Sequence, residues 1–132
     1  AMPEIKTINE QLEAANKKYQ DEFSKLQEEF QKKYEEFQAL EESTPQTIKE
    51  RRMQEMQELE GKIQQFRETA VQDIQRQQQQ LMAPVQEKVV KAIQAIGAEG
   101  NYTFVFENMV PVYVGTDVTD ITPTVKTRLG IK

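Results

Sequence analysis

From Leu12 to Tyr34 the apolar residues return in a fixed order of steps, 3, 4, 4 and again 3, 4, 4, through Ala15, Tyr19, Phe23, Leu26 and Phe30. Steps of three and four place every one of these side chains on the same helical face. The order adds a second constraint, because an eleven-residue repeat averages about 3.67 residues per turn, so its seam drifts opposite to that of a heptad and strong left-handed supercoiling is not expected. Ile5 and Ile8 extend the stripe backward, and Phe37 and Leu40 extend it forward. One amphipathic helix near residues 4 to 42 follows. Its remaining faces are Glu, Lys and Gln, with pairs such as Glu28 with Lys32 and Glu29 with Lys33 at helical spacing, the pattern of a solvated surface.

The stripe breaks at Glu41 to Gln46. Thr44 suits an N-cap with Pro45 at the first helical position, and Ser43 with Gln46 offers an alternative capping box. A second stripe then runs through Ile48, Met53, Met56, Leu59, Ile63, Phe66, Ala70, Ile74, Leu81, Val85, Val89, Ala92, Ile93 and Ile96, and from Ile63 to Val85 it repeats 3, 4, 4 with one polar step at Gln77. Two adjacent helices of the same unusual period predict an antiparallel hairpin, pairing residues 4–42 with about 46–83 and projecting roughly 55 to 60 Å. Pro84 lies where the partner helix runs out, so a bend is expected there. Gly97 and Gly100 bracket the expected helix end, either one suited to the left-handed capping conformation.

After Asn101 the period changes. Tyr102, Phe104 and Phe106 alternate with smaller residues, and Val112, Tyr113 and Val114 make a second short run, which predicts a β-hairpin with the three aromatics on one face. Thr122 and Pro123 open a last short helix carrying Val125 and Leu129, stopped by Gly130. The predicted fold class is therefore α+β: a helical hairpin over residues 1–84, then a small body over 85–132 with the β-hairpin and the short C-terminal helix. A two-stranded hairpin is marginal alone in water, so self-association is expected, with Tyr102, Phe104, Phe106, Val112 and Val114 as the oligomer core.

Composition narrows the function classes. The 132 residues contain no Cys and no His, which removes disulfides, thiolate chemistry and the commonest general base, and no phosphate loop or metal-ligand motif stands in their place. Asp117 and Asp120 stand close enough for a carboxylate pair, but their spacing in a Thr-rich loop fits turn and cap roles. No enzymatic activity and no cofactor are expected. Residues 1–44 carry 6 Lys against 11 acids, whereas 45–99 and 100–132 are each balanced, so the whole net charge of −5 lies in the first helix. No segment is a basic footprint for nucleic acid, and no apolar run spans a membrane, so any membrane contact is expected to be peripheral. Met2 stands second, which reads as a trimmed or recombinant start, from which any signal peptide is expected to have been removed.

The order of elements, with the return helix ending Lys91-Ala92-Ile93-Gln94-Ala95-Ile96, then Tyr102 to Phe106, Val112 to Val114 and Asp117 to Thr122, resembles the Skp/OmpH family of periplasmic outer-membrane-protein chaperones. The most specific part is the tail from Lys91 to Leu129, whose Asp120, Ile121, Thr122, Val125 and Leu129 are similar to the family's Asp-Ile-Thr-x-x-Val-x-x-x-Leu ending. The resemblance implies a periplasmic, jellyfish-shaped homotrimer, with three helical tentacles enclosing a cavity and ATP-independent holding of unfolded outer-membrane proteins. Two departures stand out. Ile5 is already helical by pattern, where the family places a body strand, and the chain is acidic where the best-known members are basic.

A holdase needs many weak contacts. Phe37, Leu40, Ile48, Met53 and Met56, near the predicted hairpin tip, are the expected client-binding residues, and Gly61 and Pro84 the expected hinges. Gln77 to Gln80 reads as a solvated stretch. The main alternative is a structural coiled-coil spacer or adaptor that binds no client. A prefoldin-like arrangement would place its strands between the two helices, whereas here the predicted strands follow both.

Overall fold

The computed structural model describes residues 2–132 and contains three helices: α1 (Pro3–Gln38), α2 (Gln46–Glu99) and α3 (Thr122–Arg128). Two compact units divide the chain, one formed by Gln11–Gln77 and the other by Ala1–Glu10 with Gln78–Lys132.

In the unit Gln11–Gln77, burial follows the eleven-residue repeat. Leu12, Ala15, Tyr19, Phe23, Leu26 and Phe30 of α1 and Ile63, Phe66, Ala70 and Ile74 of α2 are half-buried, Leu59 is buried, and the residues between them are mostly exposed. The helices pair in antiparallel sense. Lys33 meets Glu55 at 3.6 Å, the Arg67 guanidinium sits 5.7 Å from the centre of the Phe23 ring, and the Tyr19 and Phe66 rings lie 5.9 Å apart. A seam one side chain wide leaves most of each helix in water, which is why so polar a sequence can still form it.

The connection runs from Ala39 to Pro45. The α1 end tightens as Leu40 N–H donates to the Phe37 carbonyl, and the Pro45 carbonyl accepts the first α2 bonds from Ile48 and Lys49. The expected capping box is not made, since the Ser43 hydroxyl turns to Glu41 at 3.4 Å. Lys49 instead ties the turn together by donating to the Glu42 carbonyl at 3.3 Å.

In the second unit, Met2, Ile8, Val85, Ala92, Ile96 and Leu129 form the buried core. Glu4 of α1 is hydrogen-bonded to Lys88 of α2, four residues beyond Pro84. The pairing thus reaches past the expected limit at residue 83, and α2 is continuous through Pro84. Its end is a Schellman motif in which Tyr102 N–H donates to the Gly97 carbonyl and Asn101 N–H to the Ala98 carbonyl. The left-handed residue is Asn101, with φ 52°, and neither of the two glycines expected in that role takes it. Gly100 serves differently: a Cβ there would overlap the Tyr102 ring, which folds back over it. Helix α3 closes in the same way, with Gly130 at φ 70° and Ile131 N–H donating to Lys126.

The expected α+β class is wrong. Among the described residues there is no strand, and Tyr102 to Phe106 and Val112 to Val114 are irregular chain. Alternation reports only which side chains share a face; a strand also needs its N–H and C=O groups to find a ladder partner. Between Thr103 and Val114 the described backbone hydrogen bond is a turn, Val110 N–H to the Glu107 carbonyl, and Pro111, which has no N–H, stands at the head of the second run. The alternation survives in part, because Phe104 and Phe106 stack with ring centres 5.8 Å apart.

Candidate functional site

Between α2 and α3 the chain carries a concentration of exposed apolar side chains. Phe104 is 73% exposed, Phe106 62%, Met109 95%, and Val112, Tyr113 and Val118 are also exposed. Phe104, Phe106, Tyr113 and Val118 border an open groove of about 710 Å³ whose walls also include Tyr102, Val105, Pro111 and Val114. Scattered surface apolar residues are ordinary, but so many in one short segment mark a surface that contacts something else.

The segment is anchored at both ends. Beside its start is the Schellman turn at Asn101, and at its far end Asp120 Oδ1 accepts the Thr122 N–H at 2.9 Å, setting the entry of α3. Helix α3 is held by buried Leu129 and by Arg128, which donates two hydrogen bonds to Glu99 at 2.7 and 2.6 Å. That pairing lowers the Glu99 pKa and raises that of Arg128. The ends of α2 and α3 are therefore clamped while the apolar segment between them is displayed. All five residues expected to form an oligomer core, Tyr102, Phe104, Phe106, Val112 and Val114, lie in this segment and are exposed.

The residues expected to touch clients are distributed differently. Ile48 and Met53 are exposed on the first turns of α2, while Phe37, Leu40 and Met56 are half-buried. Glu55 sits among three cations, Lys33, Arg51 and Arg52. Burial works to raise its pKa, but the bond from Arg52 and the charges around it prevail and lower it. Gly61 lies in the interior of α2 with open space around it.

One polar group in the helical seam escaped the sequence reading. Asp73, its side chain 14% exposed, accepts hydrogen bonds from the Tyr19 hydroxyl at 2.5 Å and from Gln77 at 2.6 Å, and it is bonded to Arg76 as well. The one available signal was Gln77, the polar step in an apolar stripe, together with a tyrosine on the opposite stripe. Among the described residues no three His, Cys, Asp or Glu side chains converge to hold a metal ion, and no helix is long and apolar enough to cross a membrane.

The family described as outer membrane protein (OmpH-like) matches the chain over residues 1–129. No curated protein matches it.

Proposed function

The chain belongs to the OmpH-like family, whose members are periplasmic chaperones of outer-membrane proteins rather than enzymes, and on that premise we propose that it is an ATP-independent holdase. It binds unfolded outer-membrane proteins in the periplasm and prevents their aggregation. The observation that carries this reading is the exposed segment from Tyr102 to Val118, displayed by a clamped scaffold in a chain most of whose other apolar residues lie along thin helical seams.

In this proposal residues 85–132 are the assembly region and residues 1–84 the client-holding arm. Three copies associate through Tyr102, Phe104, Phe106, Val112 and Val114, and their arms enclose the client. Phe37, Leu40, Ile48, Met53 and Met56 make weak, exchangeable contacts with it, for which flexible Met side chains are suited. Gly61 and Pro84 let the arm adapt, because each weakens the helix that contains it.

Light scattering of an unfolded β-barrel protein diluted from denaturant tests the reading. Suppression by a few-fold excess of trimer is expected; full scattering at that excess would leave a coiled-coil spacer as the better description.

A further inference from the structure

The eleven-residue repeat that builds the seam also makes it ambiguous. Sliding one helix past the other by eleven residues, about 16 Å, returns apolar positions to apolar positions. Ile8, Tyr19 and Phe30 are equivalent under that shift, as are Leu12, Phe23 and Tyr34. The apolar stripes therefore do not choose among registers, and a second device has to.

We propose that Tyr19 and Asp73 are that device, a polar lock that fixes which residues of α1 face which residues of α2. Asp73 is the acidic side chain drawn into the seam beside Ile74, and the Tyr19 hydroxyl reaches it from the opposite helix at 2.5 Å. Gln77 and Arg76 hold the carboxylate from its own helix, so it is oriented before the partner arrives. In either slipped register the position of Tyr19 is taken by Ile8 or Phe30, neither of which can donate a hydrogen bond. The carboxylate would then sit against an apolar side chain, keeping its bonds to Gln77 and Arg76 but losing the one it takes from α1. A hydroxyl at one position in three thus makes one register favourable. Single buried polar residues select register in this way in helical coiled coils. The lock lies far along the helices from the Ala39–Pro45 turn, so it holds a part of the seam that the turn does not reach.

The native chain has no cysteine, so introduced pairs report register without background. Lys33→Cys with Glu55→Cys marks the native pairing, since these side chains meet at 3.6 Å. Glu22→Cys with Glu55→Cys marks the slipped one, because Glu22 stands eleven residues before Lys33. Both pairs are treated with a short bis-maleimide in three backgrounds: native, Tyr19→Phe, and Tyr19→Phe with Asp73→Leu. The doubly substituted background restores an apolar seam, so its helix content and melting temperature should equal or exceed those of the native background. Its native-register cross-link should nevertheless fall at least twofold, with a slipped cross-link appearing. Undiminished native cross-linking and no slipped product in that background would overturn the proposal, as would a loss of helix content proportional to the loss of cross-linking.

Discussion

Asp73 and Tyr19 give the protein a pH dependence whose sign follows from their pairing. The Tyr19 hydroxyl first, then Gln77 and the Arg76 charge, hold the Asp73 carboxyl below its ordinary 3.8, and the same bond raises Tyr19 above 10. A lowered carboxyl contributes stability that is present above its unfolded pKa and lost as pH falls through the folded one; a raised tyrosine contributes below its unfolded pKa and loses it as pH rises through the folded one. Stability should thus be level between about pH 5 and pH 9 and decline on both sides. In thermal melts, Asp73→Asn should flatten the acid limb without abolishing it, because Glu4 and Glu99 are also lowered, chiefly by Lys88 and Arg128. Tyr19→Phe should flatten the alkaline limb. At the other end of the chain, buried Leu129 carries the packing of α3. Leu129→Ala should cost about 2–3 kcal/mol in denaturant unfolding, with amide exchange rising first over residues 122–131.

At the level of elements, α2 is a 54-residue helix that tolerates a proline and a glycine in its interior. Gly61 has open space where a Cβ would go, so Gly61→Ala should stabilise the helix by about 1 kcal/mol, and Pro84→Ala, which restores a backbone donor, by about 1–3 kcal/mol. If these residues are the hinges of a holdase, both variants should melt higher while binding unfolded client less well; a gain in stability with binding unchanged would remove them from that role. The α2 terminus makes a separate test. Asn101 occupies the left-handed region, which glycine enters freely, so Asn101→Gly should preserve or raise the melting temperature while Asn101→Val should cost about 1–2 kcal/mol. The stripes made both long helices legible in the sequence because a helix satisfies its backbone within itself, so side-chain spacing alone identifies it. The hairpin expected at Tyr102 to Val114 failed for the complementary reason: strands satisfy their backbone across chain segments, and alternation carries no information about whether the second segment supplies its donors.

For the whole molecule, the question is what covers the segment from Tyr102 to Val118. Sedimentation at micromolar concentration should give the mass of a trimer. Phe104→Ser with Val112→Ser should shift that mass toward the monomer with little change in helix content, because both side chains are largely exposed and neither touches a helix seam. A monomer before substitution would remove the assembly region from the proposal. At the other surface, Met53→Ser with Met56→Ser should weaken client holding while leaving thermal unfolding nearly unchanged, and equal loss of both would assign these residues to packing. The surface from Tyr102 to Val118 was itself legible in the sequence, as aromatic and valine-rich runs outside any helical stripe, but its exposure was not, since exposure depends on what the rest of the chain places against it.

By itself the sequence determined the two amphipathic helices, their antiparallel pairing, the place of the turn between them, the short last helix and the family resemblance. These follow from local spacing and from residues such as Pro45, Pro123 and Gly130 whose backbone preferences act within a few positions. Only the tertiary structure decided that Glu4 reaches Lys88, that Asp73 enters the seam to meet Tyr19, that Arg128 clamps Glu99, and that the alternating segment remains unpaired. Each of these joins residues at least 29 positions apart or depends on the absence of such a partner. A repeating apolar pattern cannot specify such contacts, because it is the same after every eleven residues.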